Sequence, residues 1–288
     1  MCIRDSNVTT ATLLNYLKTA NAAYSACTDA KGVAEVLSNN PSLKYDFAKI
    51  AADHVTGTAM ATGTGSVTLP SAGYYLIVDT TDVANKHDAK NLSLLQVSGA
   101  TTVTPQVKTD IPTLEKKVKD INDTTGVKSD WQDSADYDIG DDVPFKLEGT
   151  VAANYAQYKQ YYFAFHDNEE EGLSFNKDSV RVYVDNTEIT EGYTVVDNPA
   201  DGCTFEVVFN DLMAAAEEYN FTVSGGSKIR VEYTSKLNEK AKIGKEGNVN
   251  SASLEFSNNP NQEQGGTPDT GNTCLLYTSD AADEARSV

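Results

Sequence analysis

The sequence predicts a mainly β protein in which a β-sandwich domain follows a smaller mixed α/β domain. Three observations carry that expectation. From about Thr9 to His54 the chain is alanine-rich, with apolar residues at helical spacing. After Gly63-Thr64-Gly65 the apolar period shortens to two. Beyond Pro112 short alternating segments follow one another, separated by Gly, Asn and Asp turns.

In the first region Leu13, Leu14, Leu17, Ala20 and Tyr24 keep helical spacing, as do Val33, Val36 and Leu37. Asn39-Asn40-Pro41-Ser42 breaks the run, and a second helix is expected over Leu43–Ala52. Strands are expected at Ser66–Leu69, Gly73–Asp79, Leu92–Val97 and Thr101–Val107. Thr109-Asp110-Ile111-Pro112 reads as a domain junction. After a strand-like Pro112–Val118, strands are expected at Val143–Val151, Tyr161–Asp167, Val180–Val184, Phe205–Phe209, Lys228–Tyr233 and Ser251–Phe256. A helix over Asp211–Tyr219 interrupts them, and Ser224-Gly225-Gly226-Ser227 reads as a hairpin turn. Many short strands with turns between them indicate a sandwich. Gln262–Gly271, with Gly265-Gly266 and Pro268, reads as a linker.

The two ends read as DNA, not protein. Encoding Cys274–Ser279 as TGT CTC TTA TAC ACA TCT and taking the reverse complement gives AGATGTGTATAAGAGACA. Read from its ATG, that strand encodes the opening Met-Cys-Ile-Arg-Asp. The termini are thus opposite-strand readings of one element resembling a sequencing-library adapter, and they are set aside from fold reasoning. The expected organisation is adapter at 1–6, a first domain at 7–106, a sandwich domain at 107–262, a linker at 263–273 into a truncated further domain, and adapter again at 274–288. On this reading the natural ends are missing, so the lack of a visible signal peptide, membrane span or sorting signal says nothing about compartment.

Apolar residues make up 40% of the 288, enough for packed cores. A net charge of −19 argues against nucleic acid and anionic membrane surfaces as partners, because both demand a basic face. Cys27 and Cys203 remain once the ends are set aside. One in each expected domain makes no disulfide framework.

Three polar residues stand on apolar strand faces. Leu114, Lys116 and Val118 share a face, as do Phe163, Phe165 and Asp167, and Leu254, Phe256 and Asn258. A lysine, an acid and an asparagine meeting in a dry core can form an isopeptide bond: the amine attacks the side-chain amide and ammonia leaves. Burial favours this, since desolvation lowers an amine pKa and raises that of a carboxylic acid. Lys116 is then the nucleophile, Asn258 the amide and Asp167 the acid that polarises the amide and shuttles protons. A slip of one residue would substitute Lys117 or Asn259. Asp141, in phase with Val143 and Phe145, is the alternative acid.

With Asp136-Tyr137-Asp138-Ile139-Gly140-Asp141-Asp142-Val143-Pro144-Phe145 and Asp167…Glu171-Gly172-Leu173-Ser174-Phe175, the stretch from Pro112 to Pro260 resembles the isopeptide-forming domain of sortase-assembled pilin backbone (fimbrial) proteins of Gram-positive bacteria. The resemblance implies an Ig-like, CNA-type β-sandwich preceded by a mixed α/β N-terminal pilin domain. It implies a structural, non-enzymatic subunit of a surface pilus that contributes to adhesion, cross-links itself once and needs no cofactor. Its partners would be other pilin subunits, a sortase and a host surface ligand, at the extracellular cell wall, with no membrane insertion in this stretch. Lys108 would be the lysine joined to the next subunit, although Thr104-Pro105-Gln106-Val107-Lys108 departs from the usual Tyr-Pro-Lys form. The alternative is a pilus-tip or surface adhesin that uses the same sandwich as a stalk; such a subunit needs no polymerising lysine.

No metal site is expected. Asp167–Glu171 fits no EF-hand spacing, and His54, His87 and His166 are scattered without zinc-type pairing. His166 alternates with Asp167 and should face the other side of its strand.

Overall fold

A computed structural model describes residues 2–3, 11–54, 65–79, 82–83, 88–104, 111–121, 125–244, 247–260, 270–272 and 276–282. The chain is mainly β and divides into two compact units. One comprises Met1–Asp110, Ala156–Lys159 and Asn258–Asp269; the other comprises Ile111–Tyr155, Gln160–Ser257 and Thr270–Val288. Among the described residues no helix is long and apolar enough to cross a membrane.

The first unit holds helices α1 (Ala11–Ala20), α2 (Ala30–Asn39) and α3 (Lys44–His54). Its strands are β1 (Cys2–Ile3), β2 (Val67–Leu69), β3 (Gly73–Val78), β4 (Leu92–Val97) and β5 (Thr101–Val103). They form a sheet β1-β3-β4 and a pair β2-β5. Leu13, Leu17, Val33, Leu37 and Phe47 bury against Leu76 and Leu92. The alanine-rich run is broken once more than its periodicity suggests, between Ala20 and Ala30. There two side chains start helical turns: Asn21 accepts from Ala23 N at 2.9 Å at the head of a short 3-10 turn (Ala22–Tyr24), and Asp29 caps the start of α2 by accepting from Gly32 N at 2.9 Å.

The second unit carries β6 (Leu114–Val118), β7 (Ser134–Tyr137), β8 (Asp142–Thr150), β9 (Phe163–Glu169), β10 (Leu173–Val184), β11 (Thr187–Ile189) and β12 (Thr194–Asp197). After these come β13 (Phe205–Phe209), α4 (Leu212–Glu218), β14 (Lys228–Leu237), β15 (Asn248–Ser257), β16 (Thr270–Asn272) and β17 (Leu276–Ala282). One sheet runs β11-β10-β14-β8-β6; the other runs β12-β13-β9-β15-β17-β7, with β16 also on β15. Strict alternation decides which side chains turn inward: Val143, Phe145 and Leu147 on β8, Ile229, Val231 and Tyr233 on β14, and Phe163 and Phe165 on β9 are all buried. Phe175 stacks on Phe205 with ring centroids 3.7 Å apart, so the two sheets meet face to face as a sandwich. Asp211 caps α4, accepting from Met213 N at 3.0 Å and from Tyr161 N at 3.1 Å.

Both terminal stretches supply strands. Cys2–Ile3 pairs with β3, and Leu276–Ala282 lies between β15 and β7. An unpaired sheet edge offers N–H and C=O groups to any extended chain, whatever its origin.

Candidate functional site

A knot of polar side chains lies between the two sheets of the second unit. β6 turns Lys116 inward in phase with Val118, and its side chain is wholly buried. Lys117 faces the other way and reaches Asp133 at 2.7 Å. From the opposite sheet β9 delivers Asp167 in phase with Phe163 and Phe165, also fully buried. Lys116 Nζ donates to Asp167 Oδ2 and, at 2.9 Å, to the Tyr233 hydroxyl. Tyr233 donates to the same Asp167 oxygen at 2.8 Å. Asn250, buried on β15, donates through Nδ2 to the Tyr233 oxygen at 2.9 Å. Glu169, two residues beyond Asp167 and on the same face, accepts from Ser235 Oγ and lies 3.5 Å from Asn250 Nδ2.

Aromatic rings dry this pocket. Lys116 Nζ is 5.4 Å from the Phe145 ring centre and 5.5 Å from that of Tyr233, and Phe205 packs edge-on against Tyr233 at 4.8 Å. Burial pushes the Lys116 pKa down and that of Asp167 up, outweighing their mutual attraction. Burial, with Asp167 beside it, lifts Glu169 to about 8. The Tyr233 hydroxyl is held well above its usual value, so it stays a donor. Burial thus favours a neutral amine next to a protonated acid, against the hydrogen bonds that favour the charged pair. Asp167 Oδ1 and Glu169 Oε2 are buried without a hydrogen-bond partner among the described residues.

Of the residues singled out in the sequence, Lys116 and Asp167 come together and Asn258 does not join them. In the β9–β15 register Ala252 lies opposite Asp167, Asn250 opposite Glu169, and Phe256 opposite Phe163. Asn258 lies past the end of β15, belongs to the first unit, and donates its Nδ2 to Asp88 O at 3.1 Å. The side-chain amide that shares the Tyr233 hydroxyl with Lys116 is that of Asn250. Asn250 and Asn258 have the same parity in the sequence, so alternation alone could not separate them; the pairing register and the end of β15 at Ser257 do. Tyr233 and Glu169 were legible by the same inward phase but were not singled out. Asp141 accepts from Asp138 N at 3.2 Å in the turn before β8, and Asn259 is half-buried beyond β15. Lys108 and His87 lie outside the described residues. The acidic stretch after Asp167 is divided: Asp167 and Glu169 lie in β9, and Glu170 and Glu171 belong to the turn into β10, where Leu173 N donates to Glu170 O at 2.9 Å and Glu170 pairs with Lys242 at 2.8 Å.

No protein-family model and no curated protein matches the chain. Solved structures do. The chain is similar to the T6 backbone pilin of serotype M6 Streptococcus pyogenes, at 18% identity and TM-score 0.48, over 82% of this chain and 54% of that one. It is similar to the full-length major pilin SpaD of Corynebacterium diphtheriae, at 20% identity and TM-score 0.45, over 72% and 47%. A third is the 35 kDa C-terminal fragment of the major pilin GBS80 of Streptococcus agalactiae, at 21% identity and TM-score 0.43, over 60% and 56%. The chain thus spans about half the length of each.

Proposed function

We propose that this chain is a structural subunit of a Gram-positive surface pilus and that its second unit closes an intramolecular isopeptide bond between Lys116 and Asn250. The observation that carries the reading is the burial of Lys116, Asp167 and Asn250 around one tyrosine hydroxyl, at 2.8–2.9 Å from it. The Lys116 amine attacks Cγ of Asn250 while the Asp167 acid donates a proton to the amide. The new C–N bond forms as the old one breaks; the proton from Asp167 goes out on the departing nitrogen, which leaves as neutral ammonia, and the proton that the amine loses restores the Asp167 acid. Preorganisation supplies the rate, since groups held in contact need no encounter. The reaction occurs once per molecule and is maturation, not turnover. Tyr233 positions both reacting groups.

The bond would join the first strand of one sheet to the long central strand of the other. Sequence resemblance to sortase-assembled pilin backbones supports the wider reading: an extracellular cell-wall location, other subunits and a sortase as partners, adhesion as the outcome, and Lys108 as the candidate inter-subunit lysine.

The intact mass of the full chain tests this beside Lys116→Ala, Asn250→Ala and Asn258→Ala. The expected result is loss of one ammonia in the parent and in Asn258→Ala, and full mass in the other two. Full mass in the folded parent overturns the cross-link. Loss of ammonia in Asn250→Ala but not in Asn258→Ala would return the amide role to Asn258.

A further inference from the structure

The outer face of β9 carries a second constellation, back to back with the first. His166 alternates with Asp167 and so points away from the sandwich core. Its cross-strand neighbour on β13 is Glu206, whose Oε1 lies 3.1 Å from His166 Nδ1. The loop between β12 and β13 brings two more donors. Asp201 Oδ2 lies 3.0 Å from the same nitrogen, and Cys203 lies beside them. One donor atom from each of His166, Asp201, Cys203 and Glu206 falls within 4.8 Å of all the others.

We propose that these four residues bind one zinc(II) ion. A tetrahedral zinc with bonds of about 2.0–2.3 Å separates its donors by somewhat less than 4 Å, so modest side-chain rotation closes the shell. The mixed nitrogen, sulfur and carboxylate set suits zinc rather than calcium or magnesium, which take oxygen.

Three features beyond the donor set argue for a built site. The far nitrogen of His166 lies 3.3 Å from Glu255 Oε2, the carboxylate–histidine support that orients a metal-bound imidazole and fixes its tautomer. Glu255 is itself held, accepting from Thr270 Oγ1. The loop is also fixed: Asp201 Oδ1 accepts from Cys203 N at 3.0 Å, Thr204 N donates to Asp167 O at 2.8 Å, and Asn198 and Gly202 take the left-handed backbone the turn requires (φ 50° and 88°). Finally, three carboxylates lie within 3.3 Å of one imidazole, which can carry only a single positive charge. A divalent ion supplies the missing counter-charge. An open cavity of about 240 Å³, bordered by Asn168, Ser251 and Ser253, gives the ion a way in. On binding, the Cys203 thiol loses its proton to solvent and its contact to Phe205 O, 3.3 Å away, is exchanged for a metal–sulfur bond.

The full chain, stripped by chelator, should be titrated with cobalt(II) and then zinc(II). We expect one equivalent of cobalt to give tetrahedral d–d bands and a thiolate charge-transfer band, and zinc to abolish both. Cys203→Ser should remove the charge-transfer band, and Glu255→Gln should weaken binding roughly 10–100-fold. The thermal melt of each variant without metal serves as the folding control. Absence of a charge-transfer band at excess cobalt overturns the proposal, as does a band that survives unchanged in Cys203→Ser.

Discussion

Asp167 is the residue on which the proposed maturation chemistry turns, because it touches both Lys116 and Tyr233. Replacing it with asparagine should slow ammonia loss by at least about 10²-fold, the usual contribution of a positioned acid–base group, and a mass time-course reads this directly. Glu169 gives a second prediction. Its folded pKa of about 8 lies above the ordinary 4.5, so the unfolded chain binds fewer protons there between those values. The stability this provides is complete below about pH 4.5 and is lost as pH rises towards 8. Denaturant unfolding of the parent at pH 5 and pH 8 should show a drop of a few kcal/mol that Glu169→Gln largely removes. At this scale Lys116 and Asp167 were legible in the sequence, since a polar residue in phase with phenylalanines has nowhere to go but inward. Asn250 was not, because two asparagines eight positions apart satisfy the same alternation.

Gly149 shows at the level of strands how closely the sheets approach. A β-carbon placed there would lie 2.9 Å from Phe163 Cζ and 3.1 Å from Phe165. Gly149→Ala should therefore cost about 1–3 kcal/mol, measured by denaturant midpoint, through overpacking and not through backbone strain. Asp211→Ala should cost about 1 kcal/mol by the same measurement, because it removes both the cap of α4 and the acceptor for Tyr161 N. The long strands were visible as alternating runs with ends displaced by a few residues, except β10, expected only over Val180–Val184, whose largely polar first half from Leu173 carries little apolar alternation. The short strands Ser134–Tyr137, Thr187–Ile189 and Thr194–Asp197 were not, since three or four residues carry too little periodicity to stand apart from turns. The outer-face cluster was equally hidden. Its donors come from β9, from β13 and from a loop whose two ligands lie some thirty-five positions from His166, and only the pairing of His166 with Glu206 brings them together.

For the molecule as a whole the proposed bond encloses nearly all of the second unit. By loop-closure entropy it should stabilise that unit by ~5 kcal/mol, and Lys116→Ala should lower its melting temperature by roughly 10–20 °C in calorimetry. With Lys116 and Asn250 joined, the unit is topologically a ring. Lys116 sits in the first strand, while Ser251–Ser257 continue β15 beyond the junction as a pendant tail. That tail can be drawn off β9 without breaking anything covalent, but nothing that threads polypeptide in single file can pass Asn250. A translocating protease arriving from that side would meet a branch point and have to admit several strands abreast, so the register that singles out Asn250 would, with the proposed bond closed, also place a barrier to degradation seven residues inside the strand.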